Sequence, residues 1–193
     1  MRIGVLAVQG AFAEHIAALE KLEVEALPVR LPAEMVSLDG LVIPGGESTS
    51  ISRLLLDYDL AEGIKNLAER GLAIMGTCAG MILLARESAD PKVKPLGLMD
   101  IRVKRNAFGR QIESFETELS IPALGEAPFP GVFIRAPLIE QLNDGVETLC
   151  QLDSSTIVAA RQERLLVAAF HPELTDDLRF HKYFVDIVNG SKS

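Results

Sequence analysis

The chain has 193 residues, a length that fits one domain comfortably and two only with difficulty. Hydrophobic residues make up 48% and charged residues 24%, the balance of a compact globular protein rather than a disordered one. The formal net charge of −8 argues against nucleic acid as a partner, because a phosphate-binding surface needs a basic excess or patch.

The first predicted strand covers residues 2–8 and is too short for a signal-peptide core with its flanks or for a membrane span. With only two cysteines, too few for a disulfide framework, the expected setting is the cytoplasm with reduced thiols. After Gln9-Gly10, the helical spacing of Phe12, Ile16 and Leu19 predicts a helix over 13–22. Short strands follow at 27–30 and 41–43, the second stopped by Pro44-Gly45-Gly46. Leu54-Leu55-Leu56 and then Ile64, Leu67 and Ala68 predict two helices, the latter ending at Gly71. A strand at 72–75 leads into Gly76-Thr77-Cys78-Ala79-Gly80 and a helix that begins over 81–85.

Strands alternating with helices as continuous apolar runs imply a parallel sheet covered on both faces. The second half changes character, with strands expected at 99–104, 111–117, 131–134, 146–152, 156–160 and 165–170 and little helix between them. The short basic run Arg102-Val103-Lys104-Arg105 fits a strand at a rim. A closing helix would pack through Leu178, Tyr183, Phe184 and Ile187, capped by Thr175-Asp176-Asp177. The expected product is a three-layer α/β domain spanning 1–193, with a mostly parallel central sheet and a mixed or antiparallel extension. Ligands would bind beyond the strand ends, where the turns after Ile43, Met75 and Phe170 converge.

Cys78 sits in a small-residue strand-to-helix turn, where unpaired helix N–H groups favour a thiolate and glycines let a substrate approach. The turn is equally that of a buried thiol at a helix cap. His171 emerges after the apolar run 165–170, and Glu173 can turn back to accept from its imidazole and set the tautomer. A strand-end histidine bonded to a carbonyl is the plainer alternative. Pro44-Gly45-Gly46-Glu47-Ser48-Thr49 offers an exposed backbone N–H near Gly46 to complement that of Ala79 at an oxyanion, or else a plain turn into a helix capped by Ser48 or Thr49. No Gly-Lys-Ser/Thr follows it, and Gly4–Gly10 lacks a dinucleotide fingerprint. His15 reads as a surface or interface residue, His181 as solvated, Cys150 as a buried inert thiol, and Met75 and Met81 as packing. No grouping of His, Cys, Asp and Glu suggests a metal site, and no cofactor is expected.

With these residues in place, the chain resembles the glutaminase subunits of two-component pyridoxal 5′-phosphate synthases, within the class I (triad) glutamine amidotransferases and their flavodoxin-like fold. The matching segments are Gly4-Val5-Leu6-Ala7-Val8-Gln9-Gly10, Pro44-Gly45-Gly46-Glu47-Ser48-Thr49, Gly76-Thr77-Cys78-Ala79-Gly80 and Phe170-His171-Pro172-Glu173-Leu174-Thr175. Arg105-Asn106-Ala107-Phe108-Gly109-Arg110-Gln111 and Val132-Phe133-Ile134-Arg135-Ala136-Pro137 point to the vitamin B6 branch. The resemblance implies Cys78 as nucleophile, His171 as base and Glu173 as its orienter. It also implies L-glutamine contacts at Gly46, Glu47, Ser48, Arg105, Ile134 and Arg135. It further implies ammonia delivery to a separate synthase barrel, a dodecameric core carrying up to twelve glutaminase subunits, whose contact arranges the oxyanion site. Gln9-Gly10 is an expected interface element.

Two rivals remain at this level. A stand-alone Cys/His hydrolase on a similar scaffold would act without a partner. A non-catalytic glutamine-binding subunit would survive replacement of Cys78.

Overall fold

A computed structural model of the protein describes residues 1–105 and 114–190. In chain order the elements are β1 (Arg2–Leu6), α1 (Phe12–Glu20), β2 (Glu25–Val29), β3 (Gly40–Ile43), α2 (Ser48–Asp57), α3 (Leu60–Glu69), β4 (Ala73–Thr77) and α4 (Ala79–Leu84). There follow β5 (Ala85–Ser88), β6 (Met99–Lys104), β7 (Ser114–Leu119), β8 (Phe129–Ile134), β9 (Leu138–Leu142), β10 (Glu147–Gln151), β11 (Ile157–Gln162), β12 (Leu165–Ala168) and α5 (Arg179–Val188).

Nine strands run in the order β2-β1-β3-β4-β12-β11-β9-β6-β5, and β10 pairs off this path with β11. From β2 to β12 every pairing is parallel. Beyond β12 the neighbours become antiparallel, with one further parallel pair, β5 and β6, at the far edge. The central strands β3, β4 and β12 read as near-continuous apolar runs and are buried throughout except for Leu165. That is the signature of a parallel sheet covered on both faces.

Side-chain alternation shows where the covers lie. Gly40 pairs with Ala73, and a Cβ on Gly40 would meet Phe184 and Val188 of α5. Gly76, three positions after Ala73 and so on the opposite face, looks instead onto Gly80 and Leu84 of α4. The sheet is therefore sandwiched between helices. A Cβ at Gly80 would run into the Ile43 carbonyl, so only glycine lets α4 approach β3 this closely. Gly71, with φ of 85°, closes α3 as its left-handed cap residue, and its N–H and that of Leu72 return to Ala68 and Leu67.

Several expectations are revised. The expected strand at 111–117 is observed as Ser114–Leu119, and 111–113 lie outside the described residues. That strand and β8 do not complete the main sheet but form a separate antiparallel pair. Its Phe129 and Phe133 pack with Phe170 and Phe180 in an aromatic cluster. Strands β5 and β9 were not foreseen: half of β5 is charged and β9 is short and half-polar, so neither carries a strong period-two signal. The first turn of α2 is not capped by Ser48 or Thr49. Glu47 is the cap, its carboxylate accepting from the N–H groups of Thr49 at 3.1 Å and Ser50 at 2.7 Å. The last helix starts at Arg179, whose N–H is met by the Asp177 carboxylate at 3.0 Å, rather than at 175–177.

Candidate active site

Three parallel strands of the main sheet and β8 of the small pair end at one cleft of about 410 Å³, as expected for a sheet whose central strands are parallel. Gly46, Glu47 and Ser48 follow β3, Cys78 and Ala79 follow β4, His171 follows β12, Ile134 ends β8 and Arg135 comes next. Ile82, Arg105 and Ser114 complete the lining. Every residue assigned to the site from sequence lies here except Glu173, which stands behind His171. The stretch Asn106-Ala107-Phe108-Gly109-Arg110-Gln111 lies outside the described residues.

Cys78 occupies a backbone conformation that L-residues rarely adopt, φ 48° and ψ −102°. Strain of this kind costs about 1–3 kcal/mol and persists where the surroundings over-determine it. Its N–H is tied to the Ala168 carbonyl of β12 at 2.8 Å, and its own carbonyl begins the α4 ladder through Ile82. The thiol is thereby pinned between strand and helix with its Sγ 3.9 Å from the Ile134 carbonyl. Arg135, with φ of 45°, is a second strained residue at the cleft.

His171 is anchored by its N–H to the Val132 carbonyl at 2.8 Å and backed by the aromatic cluster through Phe170. Its Nδ1 lies 2.7 Å from Oε1 of Glu173, with both side chains buried. That carboxylate makes Nδ1 a donor and leaves Nε2 as the nitrogen available to a reacting group. Burial by itself would lower the imidazole's proton affinity. The hydrogen bonds and charges of Cys78 and Glu173 outweigh it and push the pKa up to about 10. Glu173 is likewise disfavoured as an anion by burial, yet His15 and His171 hold its carboxyl below the usual range.

The loop facing Cys78 is built by close approach. A Cβ on Gly45 would stand 2.5 Å from His171 Cε1 and 3.3 Å from Cys78 Cβ. Gly10, at φ 101°, lies against the Gly45 carbonyl, which accepts from Ala11 N–H at 3.1 Å. Ser48 is 2% exposed, and its buried Oγ has no hydrogen-bond partner among the described residues.

At the mouth, Arg105 donates to Thr49 Oγ1 at 3.0 Å and Asp90 Oδ2 at 2.6 Å, and contacts Glu47 Oε1 at 3.3 Å. Burial opposes ionisation of Glu47, but hydrogen bonds from Ser50 and Thr49 outweigh it and bring its pKa down to about 2. Glu47 thus arrives already engaged as a helix cap. Asp90 was not foreseen, since nothing local links it to a residue 15 positions away.

Two histidines are reversed from expectation. His15 and His181 are both fully buried, neither at the surface nor solvated. His15 Nδ1 lies 2.9 Å from His181 Nε2, and His15 Nε2 lies 3.0 Å from Thr77 Oγ1 and 3.3 Å from Glu173 Oε2. Polar groups that satisfy each other are admissible in a core. The signal in the sequence was that His15 lies on the apolar stripe of Phe12, Ile16 and Leu19. Cys150 is buried as expected, and burial pushes its pKa up to about 11. Among the described residues no group of His, Cys, Asp and Glu could hold a metal, and no helix is long and apolar enough to cross a membrane.

The SNO glutamine amidotransferase family profile matches residues 5–190. A "Pyridoxal 5′-phosphate synthase subunit PdxT" of Herpetosiphon aurantiacus is 57% identical over 190 residues, covering 97% of this chain and all of the relative. One from Dehalococcoides mccartyi is 55% identical across the full length of both chains. A crystal structure described as a glutamine amidotransferase superposes with a TM-score of 0.92 at 45% identity, covering 97% of this chain and 98% of that one. With its fold and its sequence in agreement along nearly the whole length, the chain belongs to the SNO glutamine amidotransferase family.

Proposed function

We propose that Cys78, His171 and Glu173 are the nucleophile, base and orienter of glutamine hydrolysis. The observation that carries the reading is the strained Cys78 facing an imidazole whose far nitrogen is locked 2.7 Å from a buried carboxylate. The protein is a glutaminase that releases ammonia for pyridoxal 5′-phosphate synthesis, a reading supported by its glutamine amidotransferase family and by relatives named as pyridoxal 5′-phosphate synthase subunits.

In the proposed cycle His171, whose raised proton affinity favours the imidazolium, already holds the proton on Nε2 as sulfur attacks the carboxamide carbon of L-glutamine. The negative charge that develops on the carbonyl oxygen is met by N–H groups at Gly46 and Ala79. His171 then gives the proton to the departing nitrogen, so the C–N bond breaks and ammonia leaves a γ-glutamyl thioester. Water attacks that thioester, giving a proton to Nε2, and the C–S bond breaks to yield glutamate and restore the starting Cys78–His171 pair, with the proton on His171. Arg105 and Arg135 supply guanidinium groups for the substrate carboxylate, and Ser48 Oγ and the Ile134 backbone supply further polar contacts. Glu47 contributes by fixing the loop and Arg105.

The partner is a separate synthase subunit. We propose a dodecameric barrel core bearing up to twelve glutaminase subunits, in the cytoplasm, with residues 1–193 acting as one glutaminase domain. Glutamate and ammonia release, measured with and without the synthase subunit, tests the reading. Wild type is expected to be strongly stimulated and Cys78→Ala to be inactive. Undiminished hydrolysis by Cys78→Ala would overturn the nucleophile, and partner-independent activity on other amides would favour a stand-alone hydrolase.

A further inference from the structure

Behind the cleft, a buried polar chain of His15, His181 and Thr77, which has no role in the hydrolytic cycle, runs up to Glu173. Glu173 has two carboxylate oxygens inside the protein, and Oε1 is taken by His171. A buried carboxylate oxygen needs a donor nearby. Oε2 has no aligned hydrogen bond, but the Nε2 of His15 stands 3.3 Å away while bonding Thr77 Oγ1 at 3.0 Å. One N–H shared between a hydroxyl and a carboxylate oxygen fits this geometry, pointing more nearly at the hydroxyl.

The tautomers follow by elimination. If His15 Nε2 lacked its hydrogen, its lone pair would face a carboxylate oxygen at 3.3 Å, which is repulsive. His15 therefore carries the proton on Nε2, and its Nδ1 accepts. The donor to Nδ1 is then His181 Nε2–H at 2.9 Å, which leaves His181 Nδ1 as an unfilled acceptor. The opposite assignment would strand a buried N–H there, the costlier orphan.

We propose that His15, oriented by His181 and Thr77, is a positioning residue for catalysis. Its Nε2–H steadies the second oxygen of Glu173 so that the first stays in line with His171 Nδ1. This rests on the reading of His171 as the base. His15 must also be neutral to do so, because an imidazolium there would spend the charge of Glu173 that His171 needs. Burial holds it neutral, and His171 opposes its protonation from the same side, against the attraction of Glu173 and Glu14. His181 is likewise neutral, its pKa lowered by burial and by His15 to about 3.

Nitrogen-15 NMR of the full-length chain labelled on histidine reads these tautomers directly, since the sequence holds only three. The expected result at pH 7 is His15 protonated on Nε2 alone. The reverse tautomer or a doubly protonated His15 would overturn the proposal without any variant having to fold. In hydrolysis assays with the synthase subunit, His15→Leu should lower kcat by roughly tenfold while KM stays within about twofold. His15→Gln, which keeps an N–H donor at that reach, should regain most of the loss. Unchanged kcat in His15→Leu, or no recovery in a His15→Gln protein of wild-type thermal stability, would also sink it. Failure of the underlying reading would show separately, as hydrolysis persisting in Cys78→Ala while the His15 tautomer stood as predicted.

Discussion

The side-chain oxygen of Gln9 accepts the backbone N–H of Glu47 at 2.9 Å, joining the turn after β1 to the loop that faces Cys78. A Cβ on Gly46 would collide with that same oxygen, so the two segments are fitted to each other at atomic contact. Gln9→Leu removes the acceptor and should loosen the loop more than it destabilises the fold. The hydrogen bond contributes about 1 kcal/mol to stability, and synthase-stimulated hydrolysis should fall roughly tenfold through a misplaced oxyanion donor. Parallel thermal unfolding and glutamate-release assays check this. Unchanged stimulated activity would show that Gln9 neither shapes the loop nor contributes to the synthase interface.

Gly45→Ala tests the tightness of the site itself. The added methyl would press on the ring of His171 and on Cys78, two groups anchored by backbone bonds to separate strands. The expected outcome is loss of most glutaminase activity with a folded protein whose circular dichroism matches wild type. Retained kcat would mean that the imidazole can retreat without cost.

Arg105 is held as a planar fork between Thr49, Asp90 and Glu47. Lysine cannot reproduce three such contacts, so Arg105→Lys should raise KM for glutamine by about tenfold with a smaller effect on kcat. Because the side chain is partly exposed, the change in unfolding free energy should stay within about 1 kcal/mol. An unaltered KM would reduce Arg105 to a tether between the loop and the turn at Asp90.

The buried titratable groups set the direction of the pH dependence of stability. Below the ordinary imidazole value of 6.5, the unfolded chain takes up protons at His15 and His181 that the folded protein refuses. Stability should therefore fall with acid, by about 1.4 kcal/mol per pH unit for each histidine that stays neutral. Glu173 adds to this below 4.5, its contribution being lost as pH drops through its lowered folded value. His171 acts oppositely: its stabilisation is complete below 6.5 and is lost as pH rises through about 10. Urea titrations from pH 4 to 10 should show maximal unfolding free energy near 6.5, and a flat profile between 7 and 5 would contradict the neutral burial of the two histidines.

What could be read without coordinates were features with local causes. Apolar runs at β3, β4 and β12 announce a covered parallel sheet, and Gly71 marks the end of α3 because a left-handed cap favours glycine. The small residues around Cys78 announce a sharp turn. Elements whose signal is weak or shared with other states, such as β5 and β9, left no comparable trace. The pair of β7 and β8 was legible as strands but not as a separate sheet, because pairing partners are chosen by packing rather than by propensity.

The sequence by itself determined the candidates for the chemistry: a thiol at an elbow, an imidazole with a carboxylate two residues on, and a glycine pair after a strand, each a short-range pattern that also had a plain structural reading. Only the tertiary structure decided which polar groups share the interior. His15 and His181 are 166 positions apart and on different helices, yet they meet at 2.9 Å behind Glu173. Polar side chains look solvated in sequence because exposure is their cheapest state. They become tolerable in a core once the fold supplies a partner for each buried donor and charge, and that supply depends on contacts distant along the chain.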